Sequence, residues 1–249
     1  MTLENENHTT EELEVWRLLF ERQSSLLHNA ACQTFLEGLT VLDFQPDAIP
    51  HLKSINAKLR DMTGWSLTVV PGIVEDTIFF EMLSRNEFPV TGWLRSKKQL
   101  QYIEEPDMFH DVFGHVPMLT DKQFCGFLEG LSRIALAYPN NTFIIERLVR
   151  MYWFTVEFGL VRESDNVKIC GAGILSSIGE TLYCLSGKPP VVEFDLHTVF
   201  EMPFRKDRFQ DRYVMISDFE QLFRSVYQME ETLLRLQRQI QLQVLSWSC

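Results

Sequence analysis

Apolar residues recur along most of this chain at the spacing of helix turns, and only a few short runs carry a strand-like pattern. Thr9 and Glu12 form a T-x-x-E capping pair ahead of Leu13, Trp16, Leu19 and Phe20, which predicts an amphipathic helix from residue 9 and leaves residues 1–8 as a frayed polar tail. "CQTFLEGL" predicts a second helix and "IPHLKSINAKLRDMTG" a third, with Pro50 near its start and Gly64 at its stop. "WSLTVVPG" reads as a short strand ending in a turn, "VKICGAG" as a strand running into a glycine turn, and "PPVVEFDL" as another strand. Between them "IERLVRMYWFTVEFGLV" is nearly all apolar, the mark of a buried helix.

A second capping pair, Ser217 and Glu220, precedes apolar residues at Phe219, Leu222, Val226, Met229, Leu233, Leu236 and Ile240. That 3-4 alternation over about three heptads fits a terminal helix packed on its own domain and an oligomerising coiled coil equally well. The expected architecture is mainly α with a few short β-strands: a tail over 1–8, one domain over 9–216 and a C-terminal helix over 217–249.

Composition narrows the function classes. With 249 residues and 45% hydrophobic content the chain can bury a substantial core. A formal net charge of -11 repels phosphate backbones and anionic lipid, so neither nucleic acid nor a membrane surface is an expected partner. Five widely spaced cysteines without a CxxC pair read as reduced thiols, and the polar, acidic start has no signal-like apolar core. A soluble, cytoplasmic protein is the expectation.

The chemistry concentrates in "EEPDMFHDVFGHVPML", where His110 and His115 stand close together while the chain's other histidines are scattered. On a regular helix, residues five apart point about 140° away from each other, unlike the shared face of H-E-x-x-H. Pro106 and Asp107 look like a helix start, Gly114 removes a side chain beside His115, and Pro117 ends or bends the segment, so adjacent turns with a bend could bring both rings to one point. Glu157 is the third candidate, because an ionised carboxylate amid Tyr152, Trp153, Phe154, Val156, Phe158 and Leu160 needs a cation or an ion-pair partner. A salt bridge to Arg147 or Arg150 would satisfy it. So would a metal, since two neutral imidazoles and one carboxylate are the ligands of a facial triad that holds Fe(II) and leaves positions open. The aromatic residues around Glu157 suit an aromatic substrate or plain core. Gly171-Ala172-Gly173 with Glu193 twenty residues on imitates a dinucleotide fingerprint, but Ser176 replaces the third glycine and no βαβ series follows. A tight turn presenting Ser176 and Ser177 is the better reading.

Taken together and in order, "EEPDMFHDVFGHVPML", "MYWFTVEFGL" and "GAGILSS" resemble the tetrahydropterin-dependent aromatic amino acid hydroxylases, the bacterial phenylalanine hydroxylases most of all. The likeness runs from "GLTVLDF" through "RFQDRYVMISDF" and implies a single catalytic domain of that type. It implies that His110, His115 and Glu157 bind one catalytic non-haem Fe(II), and that Val74, Phe79, Asp111 and Tyr152 lie on the pterin side. Arg95 would grip the substrate carboxylate in a bidentate fork. Trp153 and Phe158 would wall the substrate ring, and Ser176 and Ser177 would position its backbone end. The implied cofactors are Fe(II) and a tetrahydropterin (tetrahydrobiopterin or a related reduced pterin), with O₂ as co-substrate, and the implied reaction turns phenylalanine into tyrosine. Tyrosine or tryptophan as substrate, a catalytically silent amino acid sensor and a zinc-bearing structural domain are the alternatives. Three departures bear on this. The chain has no room for the regulatory domain of the animal enzymes, Cys170 replaces a frequent aromatic, and Lys206 falls near a position that helps select the substrate. Trp153 fits phenylalanine or tyrosine hydroxylases better than tryptophan hydroxylases.

Overall fold

The computed structural model describes residues 8–247 except 101, 102 and 104, with side chains described as far as residue 242. Nearly all of the expected tail over 1–8, and the chain's last two residues, lie outside the described residues. The N-terminal cap forms as the sequence predicts: the Glu12 N–H donates to Thr9 Oγ1 at 3.2 Å and the Thr9 N–H donates to the Glu12 carboxylate at 2.7 Å. Helix α1 (Thr10–Leu27) follows and buries Val15, Trp16, Leu19 and Leu27 at helical spacing. Helices α2 (Gln33–Val41) and α3 (Leu52–Met62) come next, and Gly64 stops the third with a φ of 83°, a left-handed angle that costs glycine nothing.

Strand β1 (Ser66–Val70), helix α4 (Asp76–Ser84) and β2 (Glu87–Thr91) form a parallel two-stranded unit with α4 as its crossover. Strand β2 carries Pro89, which removes a ladder donor; in a two-stranded sheet every strand is an edge, where proline is tolerated. A short 3-10 turn (Lys97–Gln99) leads towards a π-helical segment (Phe109–His115), a second 3-10 turn (Val116–Thr120) and the long helix α5 (Lys122–Ala137).

The apolar run over 145–161 is not one helix. Helix α6 (Thr142–Tyr152) widens into a second π-helical turn (Trp153–Glu157), and the chain then enters strand β3 (Gly159–Glu163). An all-apolar stretch reads the same whether it becomes buried helix or buried strand, which is why its pattern hid the switch. Strand β4 (Asn166–Ile169) pairs antiparallel with β3, and two short helices follow, α7 (Ala172–Leu175) and α8 (Ile178–Leu185). Strand β5 (Val191–Glu193), helix α9 (Leu196–Glu201) and strand β6 (Tyr213–Ile216) complete a sheet ordered β4-β3-β6-β5, with β6 parallel to both neighbours.

Helix α10 (Phe219–Trp247) closes the chain. Its cap sits one residue later than the sequence suggests: the Gln221 N–H donates to Asp218 at 2.6 Å and the Ser217 N–H donates to the Gln221 carboxamide oxygen at 2.7 Å. Glu220 instead pairs with Arg224. Phe219, Leu222, Val226, Met229 and Leu233 are buried, and Phe223 and Val226 lie directly over Gly126 and Gly130 of α5. The first part of the apolar stripe is therefore covered from within the chain.

The core beneath the first π-helical segment is aromatic. Phe109 and Phe113 stack with centroids 4.6 Å apart, Trp16 meets Phe109 edge-on at 5.4 Å, and Phe20 and Phe35 meet Phe113 at 5.3 and 5.6 Å. These contacts clamp one side of the segment that carries both histidines. Phe113→Ala should cost about 3–5 kcal/mol in urea unfolding, the range for emptying a fully buried phenylalanine site; a loss under about 1 kcal/mol would show that the clamp is not structural.

Candidate metal centre

The five-residue spacing of the two histidines finds its explanation in backbone geometry. In a π-helical turn the hydrogen bonds close from i to i+5, so residue i+5 comes to lie nearly over residue i. His110 and His115 occupy such a segment, and their Nε2 atoms stand 3.2 Å apart with the rings nearly perpendicular at 86°. No proline bend is needed; Pro117 belongs to the 3-10 turn that follows. Glu157 arrives from the second π-helical turn, where the Phe158 N–H donates five residues back to the Trp153 carbonyl at 2.9 Å. One Glu157 oxygen lies 3.2 Å from His115 Nε2 and the other 3.6 Å from His110 Nε2.

Close backbone packing holds these segments together. A Cβ on Gly171 would fall 2.4 Å from the Glu157 carbonyl oxygen, and one on Gly114 would fall 3.0 Å from the Ala172 carbonyl oxygen. The glycine pair read as a tight turn is therefore an approach surface, and it does not build a nucleotide site. Strand β4, which leads into it, is antiparallel to β3, and Glu193 is spent on Arg162 at 2.5 Å.

The three ligand atoms lie within 4.8 Å of one another, a grouping that could hold a metal ion. Ser176 prepares one of them. Its hydroxyl donates to the Ala172 carbonyl at 2.8 Å, so its oxygen accepts from His110 Nδ1 at 2.9 Å and leaves the Nε2 lone pair facing Glu157 and His115. Burial pushes the His110 imidazolium down below its ordinary 6.5, against the pull of Glu157, so the ring is neutral at pH 7. Burial alone would raise Glu157, but His115, His110 and Lys206 outweigh it and bring the carboxyl down to about 2. The arginine alternatives are engaged elsewhere: Arg147 binds Glu201 at 2.7 Å and Arg150 donates to the Phe200 carbonyl. A partly buried carboxylate with the Nε2 atoms of two imidazoles at 3.2 and 3.6 Å is a donor set that suits a divalent cation of the nitrogen-and-oxygen class.

The other expected residues fall into three groups. Phe79 meets Tyr152 edge-on at 5.0 Å and Tyr152 lies flat to His115 at 6.3 Å, so an aromatic run leads from α4 to the histidines. Burial holds the Tyr152 phenol well above its usual range, so it remains neutral. Val74 is half-buried in the loop ahead of α4, and the Asp111 carboxylate accepts from the Thr91 N–H at 2.7 Å, tying the π-helical segment to β2. Trp153 and Phe158 form a second aromatic cluster with Phe204, at 4.7 and 4.6 Å from the indole, and Lys206 Nζ stands 5.8 Å over the indole face. Ser177 is occupied as the cap of α8, accepting from the Glu180 N–H, and Cys170 is buried in the core.

Arg95 is less free than its charge suggests. Its Nε and Nη2 donate to the two Asp107 oxygens at 2.8 Å each, and its backbone N–H donates to the same carboxylate at 2.9 Å. Asp107 also accepts from the His110 N–H at 3.1 Å, so one buried carboxylate both orients Arg95 and caps the turn that carries His110. The sequence reading took Asp107 only as a helix start; its spacing of three residues before His110 was the available signal.

The chain is similar to known proteins over most of its length. A family model described as "Biopterin-dependent aromatic amino acid hydroxylase" matches residues 2–247. The phenylalanine-4-hydroxylase of Chromobacterium violaceum is 43% identical over 219 residues, 88% of this chain and 73% of that protein. A crystal structure of the phenylalanine hydroxylase from that organism, holding iron(III) and 7,8-dihydrobiopterin, superposes with a TM-score of 0.86 at 41% identity and covers 91% of this chain and 83% of its own. Another, with iron and phenylalanine bound, gives 0.84 at 40% identity, covering 90% and 82%. Among the described residues no helix is long and apolar enough to cross a membrane.

The Arg95–Asp107 pair has a defined pH signature. Burial raises the Asp107 carboxyl, but the Arg95 hydrogen bonds and charge outweigh it and leave the folded value below 3.8. A depressed folded value means that the contribution is complete above the unfolded value of about 3.9 and is lost as pH falls through the folded one. Asp107→Asn should therefore lose about 3–5 kcal/mol at pH 7, because Arg95 is left buried and uncompensated. The gap to the wild-type protein should narrow once the pH drops below about 4 in urea titrations. A gap independent of pH would contradict the ion-pair account.

Proposed function

The chain belongs to the biopterin-dependent aromatic amino acid hydroxylase family, and we propose that within it the protein hydroxylates the ring of phenylalanine to give tyrosine, using Fe(II), a reduced pterin and O₂. The observation that carries this reading is the convergence of His110, His115 and Glu157 from two π-helical turns onto one face. Three ligands on one side leave the other side of the metal open to oxygen and substrate, as catalysis requires. Bound there, iron and the reduced pterin together supply an activated oxygen atom for the ring, the pterin providing two electrons and taking the second oxygen atom of O₂.

The chain's own residues bind, orient and shield. The neutral His110 ring and the ionised Glu157 offer lone pairs without prior loss of a proton at pH 7, and Ser176 fixes the His110 tautomer. Phe79, edge-on to Tyr152, offers its face to a pterin ring, the half-buried Val74 contributes from the loop ahead of α4, and Asp111 locks β2 to the histidine turn. Arg95 gives the Nε–Nη2 edge of its guanidinium to Asp107, which leaves the Nη1–Nη2 edge for a bidentate grip on the amino acid carboxylate. Trp153 and Phe158 wall the ring, Phe204 backs the indole, and Tyr152 stays a neutral phenol that adds no charge near the reacting ring. Ser177, already engaged as a helix cap, contributes to the substrate's backbone end through the position of the turn.

The Fe(II)-loaded protein should be given a reduced pterin, air and equal amounts of isotopically labelled phenylalanine, unlabelled tyrosine and tryptophan. Labelled tyrosine should dominate the hydroxylated products on chromatography. DOPA or 5-hydroxytryptophan in excess would keep the reaction and move the substrate, and no product despite bound iron would turn the reading towards an amino acid sensor.

A further inference from the structure

Trp153 is the first residue of the π-helical turn that ends in Glu157, so the aromatic wall and a metal-facing carboxylate share one turn of backbone. The indole has a single polar atom, Nε1, and it donates to the Gln210 carboxamide oxygen at 2.9 Å. Gln210 is only 4% exposed. Its Nε2 donates to the Arg205 carbonyl at 3.2 Å, which fixes which end of the amide faces the indole. Its backbone N–H donates at 3.1 Å to Glu180, a carboxylate only 5% exposed, and the same oxygen accepts from the Tyr213 hydroxyl at 2.6 Å.

The surroundings show why this small network matters. Residues 205–209 and 211–212 are all exposed, and Phe204 and Gln210 are what turn that connection inward against Trp153. Glu180 lies in the first turn of α8, four residues after Ser176, which holds His110. The α7–α8 segment is itself pinned from α1, where the buried Gln23 donates to the Ile174 carbonyl at 3.2 Å and to Thr181 at 2.8 Å. One braced piece of chain thus touches a histidine of the metal face at one end and, through Glu180 and Gln210, the indole wall at the other.

We propose that Gln210, latched by Glu180, is a positioning residue that sets the angle of the Trp153 indole against the substrate ring and keeps the ring in line with the metal face. This rests on the reaction assigned above. A buried carboxylate that merely tied down a loop would stabilise the fold without touching ring binding. A latch on the indole changes how well the amino acid ring is held and how often an activated oxygen atom finds it.

The test uses the full-length, iron-loaded protein. Gln210→Met keeps the side-chain volume and removes the acceptor. It should raise the KM for phenylalanine about fivefold, the equivalent of one neutral hydrogen bond. It should also lower the ratio of hydroxylated amino acid to pterin oxidised, while iron affinity and the KM for pterin stay at wild-type values. Glu180→Leu releases the latch from its far end and should reproduce both changes, should Gln210→Met fold poorly. Glu180→Gln keeps a carbonyl oxygen for both donors and should restore them. In a Trp153→Phe background, which lacks the indole N–H, Gln210→Met should add little more. Variants that lose only Tm, with KM and product ratio unchanged, or a full additional effect in the Trp153→Phe background, would overturn the latch. Wild-type protein that hydroxylates no aromatic amino acid would overturn the assigned reaction instead.

Discussion

A partly buried carboxylate, with two imidazoles as its contact partners, is the arrangement around which this structure is organised. Ionised Glu157 would be costly in such surroundings without compensation, and the nearby arginines are committed to Glu201 and to the Phe200 carbonyl. The compensation comes from His110 and His115, and that meeting requires backbone that departs from the regular helix twice. Both departures are π-helical turns, a geometry rare enough to mark function where it occurs. The cost of the unusual turns is met by the aromatic core under Phe109 and Phe113 and by close backbone packing at Gly114 and Gly171.

Each ligand-bearing segment is held by a polar residue that is not itself a ligand. Asp107 caps the His110 turn and orients Arg95, Asp111 ties the same segment to β2, and Ser176 sets the His110 tautomer. Gln210 does the corresponding work for Trp153. Buried polar groups of this kind are satisfied almost completely, and the satisfied state has only one geometry. The metal face, the guanidinium and the indole wall therefore stand in fixed relation before any ligand arrives.

Much of this was legible in the sequence where a local signal exists. The Thr9–Glu12 cap, the Gly64 stop and the strands after Trp65 and before Cys170 all form as read, because caps, glycines and β-branched runs act over a few residues. Strand β2 escaped because Pro89 argues against a strand, and β3 because its apolar run continues that of α6 without a break. The C-terminal cap was misplaced by one residue because Ser217 and Asp218 are both good caps with an acceptable partner three residues on. The histidines could be singled out by proximity, yet a regular helix sets them about 140° apart, and no local pattern announces a π-helical turn. The Asp107 grip on Arg95 and the Gln210 contact with Trp153 stayed hidden for a different reason: the partners lie 12 and 57 residues away, a pairing that only the folded chain reveals.

The central claim is that two π-helical turns assemble one open metal face from His110, His115 and Glu157. The most direct test is an anomalous difference map at the iron absorption edge from crystals grown anaerobically with Fe(II). The account predicts a single peak about 2.1 Å from Nε2 of both histidines and from a Glu157 carboxylate oxygen, with its remaining positions free of protein ligands. A peak that excludes Glu157, or one closed off by a fourth protein ligand, would contradict it.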